Sequence, residues 1–130
     1  MKRVYQTNFG KSGNCFQACV ASVLELELVQ VPDFVNDSKT EWFSNLRDWL
    51  KNYNLGVVNV DFTELSISDI TQISSGFCIA QGQKPNRDNV KHAVVMNNVC
   101  LSHDPLPDGE GLEIVEQVMF FIPFNPVSGL

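Results

Sequence analysis

The sequence predicts an α+β domain, its helices at the front of the chain packed on one side of an antiparallel sheet behind. Three observations carry that expectation. Apolar residues recur at three- and four-residue spacing in CFQACVASVLEL, from Cys15 to Leu26, and again in EWFSNLRDWLKNY, from Glu41 to Tyr53. Beyond Gly56 the period shortens to two, as in Val57-Val58-Asn59-Val60-Asp61-Phe62. Helices first and strands after is the order of an α+β layer arrangement. At 130 residues the chain suits one domain spanning 1–130, with one core.

Each element has its own signals. Ser12 to Asn14 supply capping side chains for the first helix, whose Phe16, Cys19, Val20, Val23 and Leu24 form one buried stripe. Val31-Pro32-Asp33-Phe34 stops it, and a polar connection runs through Asn36, Asp37 and Ser38. Thr40 caps the second helix, Trp42, Phe43, Leu46, Trp49 and Leu50 trace its apolar face, and Asn54 and Gly56 close it. Gly76 to Ala80 is a short strand, and a short helix is expected over 66–73. Gly82 to Asn89 reads as a loop. Val90 to Met96 and Val99 to His103 form a hairpin about Asn97-Asn98, and Val118 to Ile122 a last strand.

Composition narrows the function classes. A chain 44% hydrophobic and 18% charged is too apolar for intrinsic disorder. Its net charge of -6 repels polyanions, which argues against extended nucleic-acid binding. No apolar signal-peptide core follows Met1-Lys2-Arg3, and no stretch reaches transmembrane length. The expectation is a protein that begins near Met1 and stays in a reducing cytoplasm, away from membranes, its four cysteines free thiols.

The chemistry-bearing residues are Cys15 at the front of the first helix, His92 in the hairpin, and Asp104 ahead of Pro105. In that order they can build a thiolate nucleophile, its base and the base's orienter. A helix N-terminus and a neighbouring imidazolium both stabilise a thiolate. On pattern alone Cys15 reads equally well as a small core residue, His92 as a satisfied strand histidine, and Asp104-Pro105 as an ordinary turn. Cys19, Cys78 and Cys100 read as structural.

The segment GNCFQACVASVLEL with VPDF shortly after it, HAVV in the second half and HDPLPDGEGL behind that resembles small bacterial and bacteriophage proteins of papain-like, C39-peptidase-like fold. The resemblance spans most of the chain. It implies a single papain-like domain in which Cys15 is the nucleophile, His92 the general base and acid, and Asp104 the group orienting the imidazole. It also implies a glutamine upstream of the nucleophile as an oxyanion-hole donor. Gln6 is the candidate, nine positions before Cys15, a longer gap than C39-like peptidases usually show. The expected activity is cleavage of a peptide, isopeptide or small amide, or acyl transfer from it, through a thioester and without metal or organic cofactor. If the chain is phage-encoded, it acts in the host cytoplasm with a host protein as a further partner.

Hairpin register bears on the triad. With Asn97-Asn98 as a two-residue loop, His92 faces His103 and Asp104 points away; a bulge, or a longer loop, returns Asp104 to the His92 face. Two rivals stand beside the enzyme: a zinc site of Cys15, Cys19, His92 and His103, which lacks the usual knuckle spacing, and a catalytically inert binding module on the same frame. Lys84, Arg87 and Lys91 before His92 read first as a solvated loop and second as a rim recognising a carboxylate or phosphate.

Overall fold

The computed structural model describes residues 1–61, 76–85, 90–98 and 100–123. The helix expected over 66–73, residues 86–89 of the expected loop, and Val99 lie outside the described residues.

Helix α1 spans Cys15–Leu24 and buries Phe16, Ala18, Cys19, Val20 and Ala21. It stops two residues before the expected Leu26, at Glu25 in the left-handed conformation (φ 58°). The Leu26 N–H reaches the Ala21 carbonyl and the Glu25 N–H the Ser22 carbonyl, so the last turn closes on itself well before Pro32. Instead of a purely polar connection, Phe34–Asp37 forms one helical turn, α2, with Phe34 buried. Helix α3 covers Trp42–Leu50, with Leu46 and Leu50 buried, and runs through a 3-10 turn at Lys51–Tyr53 to Asn54, also left-handed. Its N-cap position is Glu41 rather than Thr40, and Gly56 belongs to the strand that follows.

Strands β1 (Leu55–Asp61), β2 (Phe77–Gln83), β3 (Lys91–Asn97), β4 (Cys100–His103) and β5 (Ile114–Pro123) form one antiparallel sheet in the order β1-β5-β2-β3-β4. The last strand therefore lies between the first two. Because side chains alternate along each strand, the sheet has two apolar faces. Ile79, Ala93, Val95 and Met119 join the core with the helices, while Cys78, Ala80, Val94, Val118 and Phe120 make a second cluster with Leu112 and Val115.

Gly82 and Gln83 belong to β2 rather than to a loop. Gly82 stands opposite His92, where β2 and β5 change register. A Cβ there would sit 1.9 Å from the Ile114 carbonyl oxygen, so only glycine lets β5 pass this close. No helix among the described residues is long and apolar enough to cross a membrane.

Candidate active site

The first turn of α1 presents Cys15 to a cleft of about 560 Å³ that it shares with His92, Gln6 and Lys84. Asn14 occupies the N-cap position without capping through its side chain. Its Oδ1 instead accepts the N–H groups of Thr7 and Asn8, both at 2.9 Å, and its amide donates to Thr7 Oγ1 and Gln17 Oε1. Gln17 in turn donates to the carbonyls of Leu28 and Val31, which makes it a strut between α1 and the following turn, not a solvent-facing residue. This buried network clamps the segment carrying Gln6 against the helix start.

Gln6 is 7% exposed. Its Nε2 donates to the Asn8 carbonyl at 2.9 Å, its backbone N–H to the Pro105 carbonyl at 3.1 Å, and its Oε1 has no partner among the described residues. Gly13 lies so close that an added Cβ would meet the Gly10 and Asn8 carbonyls at 3.0 and 3.2 Å and Gln6 Nε2 at 3.4 Å. One amide proton of Gln6 remains for a ligand, and the N–H groups opening α1 lack intrahelical acceptors by position.

His92 begins the buried run of β3, and its Nε2 lies 2.7 Å from Asp104 Oδ1. The hairpin achieves this through a bulge. Asn97 pairs with Cys100 and Met96 with Leu101, but Val95 pairs with His103, leaving Ser102 unmatched. Asp104 stands just beyond the last paired residue, His103, and its carboxylate meets the His92 ring there. The bulge thus lies inside β4, away from the turn. Asn98 is left-handed (φ 58°), as a tight turn at this point requires.

Both oxygens of Asp104 are occupied. Oδ1 accepts from His92 and from the Leu106 N–H at 2.9 Å; Oδ2 accepts from the Gly111 N–H at 2.9 Å and from Lys84 Nζ at 3.2 Å. Burial opposes its charge, yet the hydrogen bonds from His92, Leu106 and Gly111 prevail and hold the carboxyl well below the usual range. Burial likewise opposes the charged His92 ring, but the Asp104 hydrogen bond and then Cys15 raise its pKa above the ordinary 6.5. Asp104 accepts, so Nε2 carries the proton of that bond. Nδ1 is the ring nitrogen that this bond leaves unused.

Lys84 does not belong to a solvated loop and is not a free anion receptor. It is 3% exposed and paired with Asp104 and with Asp108 Oδ1 at 3.0 Å, while Arg87 lies outside the described residues. Among the basic residues of that stretch, Lys91 is exposed and lines the cleft.

The residues of the zinc alternative are dispersed. His103 Nε2 contacts the Val4 carbonyl at 2.7 Å, the ring packs edge-on against Tyr5, and Cys19 is fully buried. No group of three or more His, Cys, Asp and Glu disposed to hold a metal occurs among the described residues. All four cysteines are free; burial pushes the Cys78 thiol up to about 11, and Cys100 is exposed rather than packed. Trp42, expected on the core face of α3, reaches the cleft and stacks edge-on with Phe16 at 5.4 Å.

Sequence reasoning passed over Asn14 and Lys84 as members of this network. A polar residue before a helix signals a cap, and a lysine among Gly, Pro and Asn signals solvent, so neither carried a distinguishing mark. No protein-family model, curated protein or solved structure matches this chain.

Proposed function

We propose that this chain is a papain-like cysteine hydrolase or acyl-transfer enzyme, with Cys15 as nucleophile, His92 as general base and acid, Asp104 as orienter and Gln6 as an oxyanion donor. The observation that carries the reading is the 2.7 Å contact between His92 Nε2 and an ionised Asp104, in a cleft that Cys15 also lines. The Cys15 sulfur attacks a carbonyl carbon, its proton passing to His92 Nδ1. Charge developing on the carbonyl oxygen meets the Cys15 N–H and the second Gln6 amide proton. The C–N bond breaks as the imidazolium protonates the departing amine, leaving a thioester. Water, deprotonated by the neutral imidazole, or a second amine then takes the acyl group and restores the thiol. The cleft volume suits a short peptide or a small amide. Four unpaired cysteines accord with a reducing cytoplasm, the host's if the chain is phage-encoded.

The test is the pH dependence of Cys15 alkylation by iodoacetamide, read by intact mass in wild type and His92→Ala. Rapid labelling confined to Cys15, slowed by about 10²-fold without the imidazole, is expected. Slow labelling spread over the four cysteines and indifferent to His92 would point instead to an inert binding module.

A further inference from the structure

The charge lining the cleft is unlike that of the chain. The protein carries nine Lys and Arg against 15 Asp and Glu, yet among the described residues three lysines and a single carboxylate, Asp33, line this cavity. Lys84 is neutralised by Asp104 and Asp108. Asp33 Oδ2 is held by the Asn36 amide at 2.8 Å, and the same amide holds the Ser12 and Gly13 carbonyls. Lys11, in the 3-10 turn Gly10–Ser12, and Lys91, immediately before His92, are exposed and without an ion pair among the described residues. The same cavity is lined by Phe9, which is 58% exposed, and by Phe16 and Trp42, beside Gln6, Gln81 and Gln117.

Resting on the cysteine-nucleophile reading, we propose that the substrate is a small amide or peptide with a carboxylate near its scissile carbonyl, attracted by Lys11 and Lys91 while its apolar part lies on Phe9, Phe16 and Trp42. Two separate ammonium groups, each a compact point charge, suit the single charge of a carboxylate. The lysines come from different elements, so the anion is drawn to the mouth of the cleft and its neighbouring carbonyl toward Cys15. A neutral analogue loses that steering.

Alkylation of Cys15 by iodoacetate and by iodoacetamide tests this without a known substrate. In each reaction the sulfur forms a bond to carbon as the C–I bond breaks and iodide leaves, and the reagents differ in charge. The readout is the iodoacetate-to-iodoacetamide rate ratio at Cys15, divided by that at the exposed Cys100 of the same molecule. At low ionic strength this ratio is expected to exceed one by about three- to tenfold and to fall in concentrated salt. In Lys11→Gln/Lys91→Gln it should drop by most of that factor. A preference that survives in the double variant assigns the attraction to the His92 imidazolium and overturns the role of the lysines. Fast iodoacetamide labelling with no preference for iodoacetate overturns the carboxylate while leaving the nucleophile standing. Slow labelling of Cys15 by both reagents removes the nucleophile, and the substrate proposal with it. Protection of Cys15 by inorganic phosphate but not by succinamate overturns the carboxylate in favour of a phosphate.

Discussion

Lys84 Nζ lies 3.2 Å from Asp104 Oδ2, the oxygen that His92 does not use, and 3.0 Å from Asp108 Oδ1. A fully buried lysine is costly unless paired, and here it links the strand leading to His92 with the loop that follows Asp104. Removing only the cation leaves a buried carboxylate with one donor fewer. Lys84→Met is therefore expected to destabilise the fold by about 3 kcal/mol, read as a lower urea midpoint. Asp108 is more exposed than Asp104, so Asp108→Asn should cost much less, and the double variant should be less destabilised than the sum of the singles. Equal losses for Lys84→Met and Asp108→Asn would show that the Lys84–Asp104 contact contributes little.

The two shifted groups of the site act on stability at opposite ends of the pH scale. Asp104 titrates below its ordinary 3.8 when folded, so the unfolded chain takes up the proton first as pH falls. Its contribution is whole above pH 3.8 and is lost as pH drops further toward the folded value. His92 titrates above its ordinary 6.5, so its contribution is whole below pH 6.5 and fades as pH rises through the raised folded value. Urea midpoints of the wild type should fall on both sides, and in Asp104→Asn both limbs should flatten, because the same contact produces both shifts. An alkaline limb unchanged in Asp104→Asn would separate His92 from Asp104.

Gln6 is anchored through Asn8 and Pro105 in a way that leaves its amide one proton for a developing oxyanion. Gln6→Ala is expected to slow acylation of Cys15 by p-nitrophenyl acetate by about 10²–10³-fold with the circular dichroism spectrum retained. Alkylation by iodoacetamide develops no oxyanion and should slow far less. Equal slowing of the two reactions would make Gln6 a structural residue of the cleft wall.

What could be read before the structure follows from the range of the forces involved. The helical faces of α1 and α3 and the alternation in β1 are local, so Phe16, Val20, Leu46 and Leu50 could be placed in the core from spacing alone. Local pattern alone reads Cys15, His92 and Asp104 equally well as structural residues, and the expectation that they meet comes from the resemblance of their contexts to a papain-like family. The order β1-β5-β2-β3-β4 depends on pairing the last strand of the sequence with the first two, which no local pattern encodes. The end of α1 was misplaced because an acidic residue, Glu25, takes the left-handed position that glycine or asparagine usually marks. Lys84 was misread because its partners lie 20 and 24 positions downstream.

Gly82 illustrates the same limit and supplies a test. Glycine followed within three residues by proline reads as a turn, yet here it is the point where β5 crosses β2 opposite His92, with the Glu113 N–H bonded to the Gln83 carbonyl at 2.8 Å just beyond. A methyl group at 1.9 Å from the Ile114 carbonyl oxygen cannot be accommodated by a side-chain rotation, since the obstacle is backbone. Gly82→Ala must push the first residues of β5 away, at a cost of about 2–3 kcal/mol in the urea midpoint. The displaced strand also carries the chain back to Gly111, whose N–H holds Asp104, so the variant should label more slowly at Cys15 even where it remains folded. Wild-type stability together with wild-type labelling in Gly82→Ala would mean that β5 lies farther from β2 than this crossing requires. Normal stability with slowed labelling would place the effect on Asp104 alone.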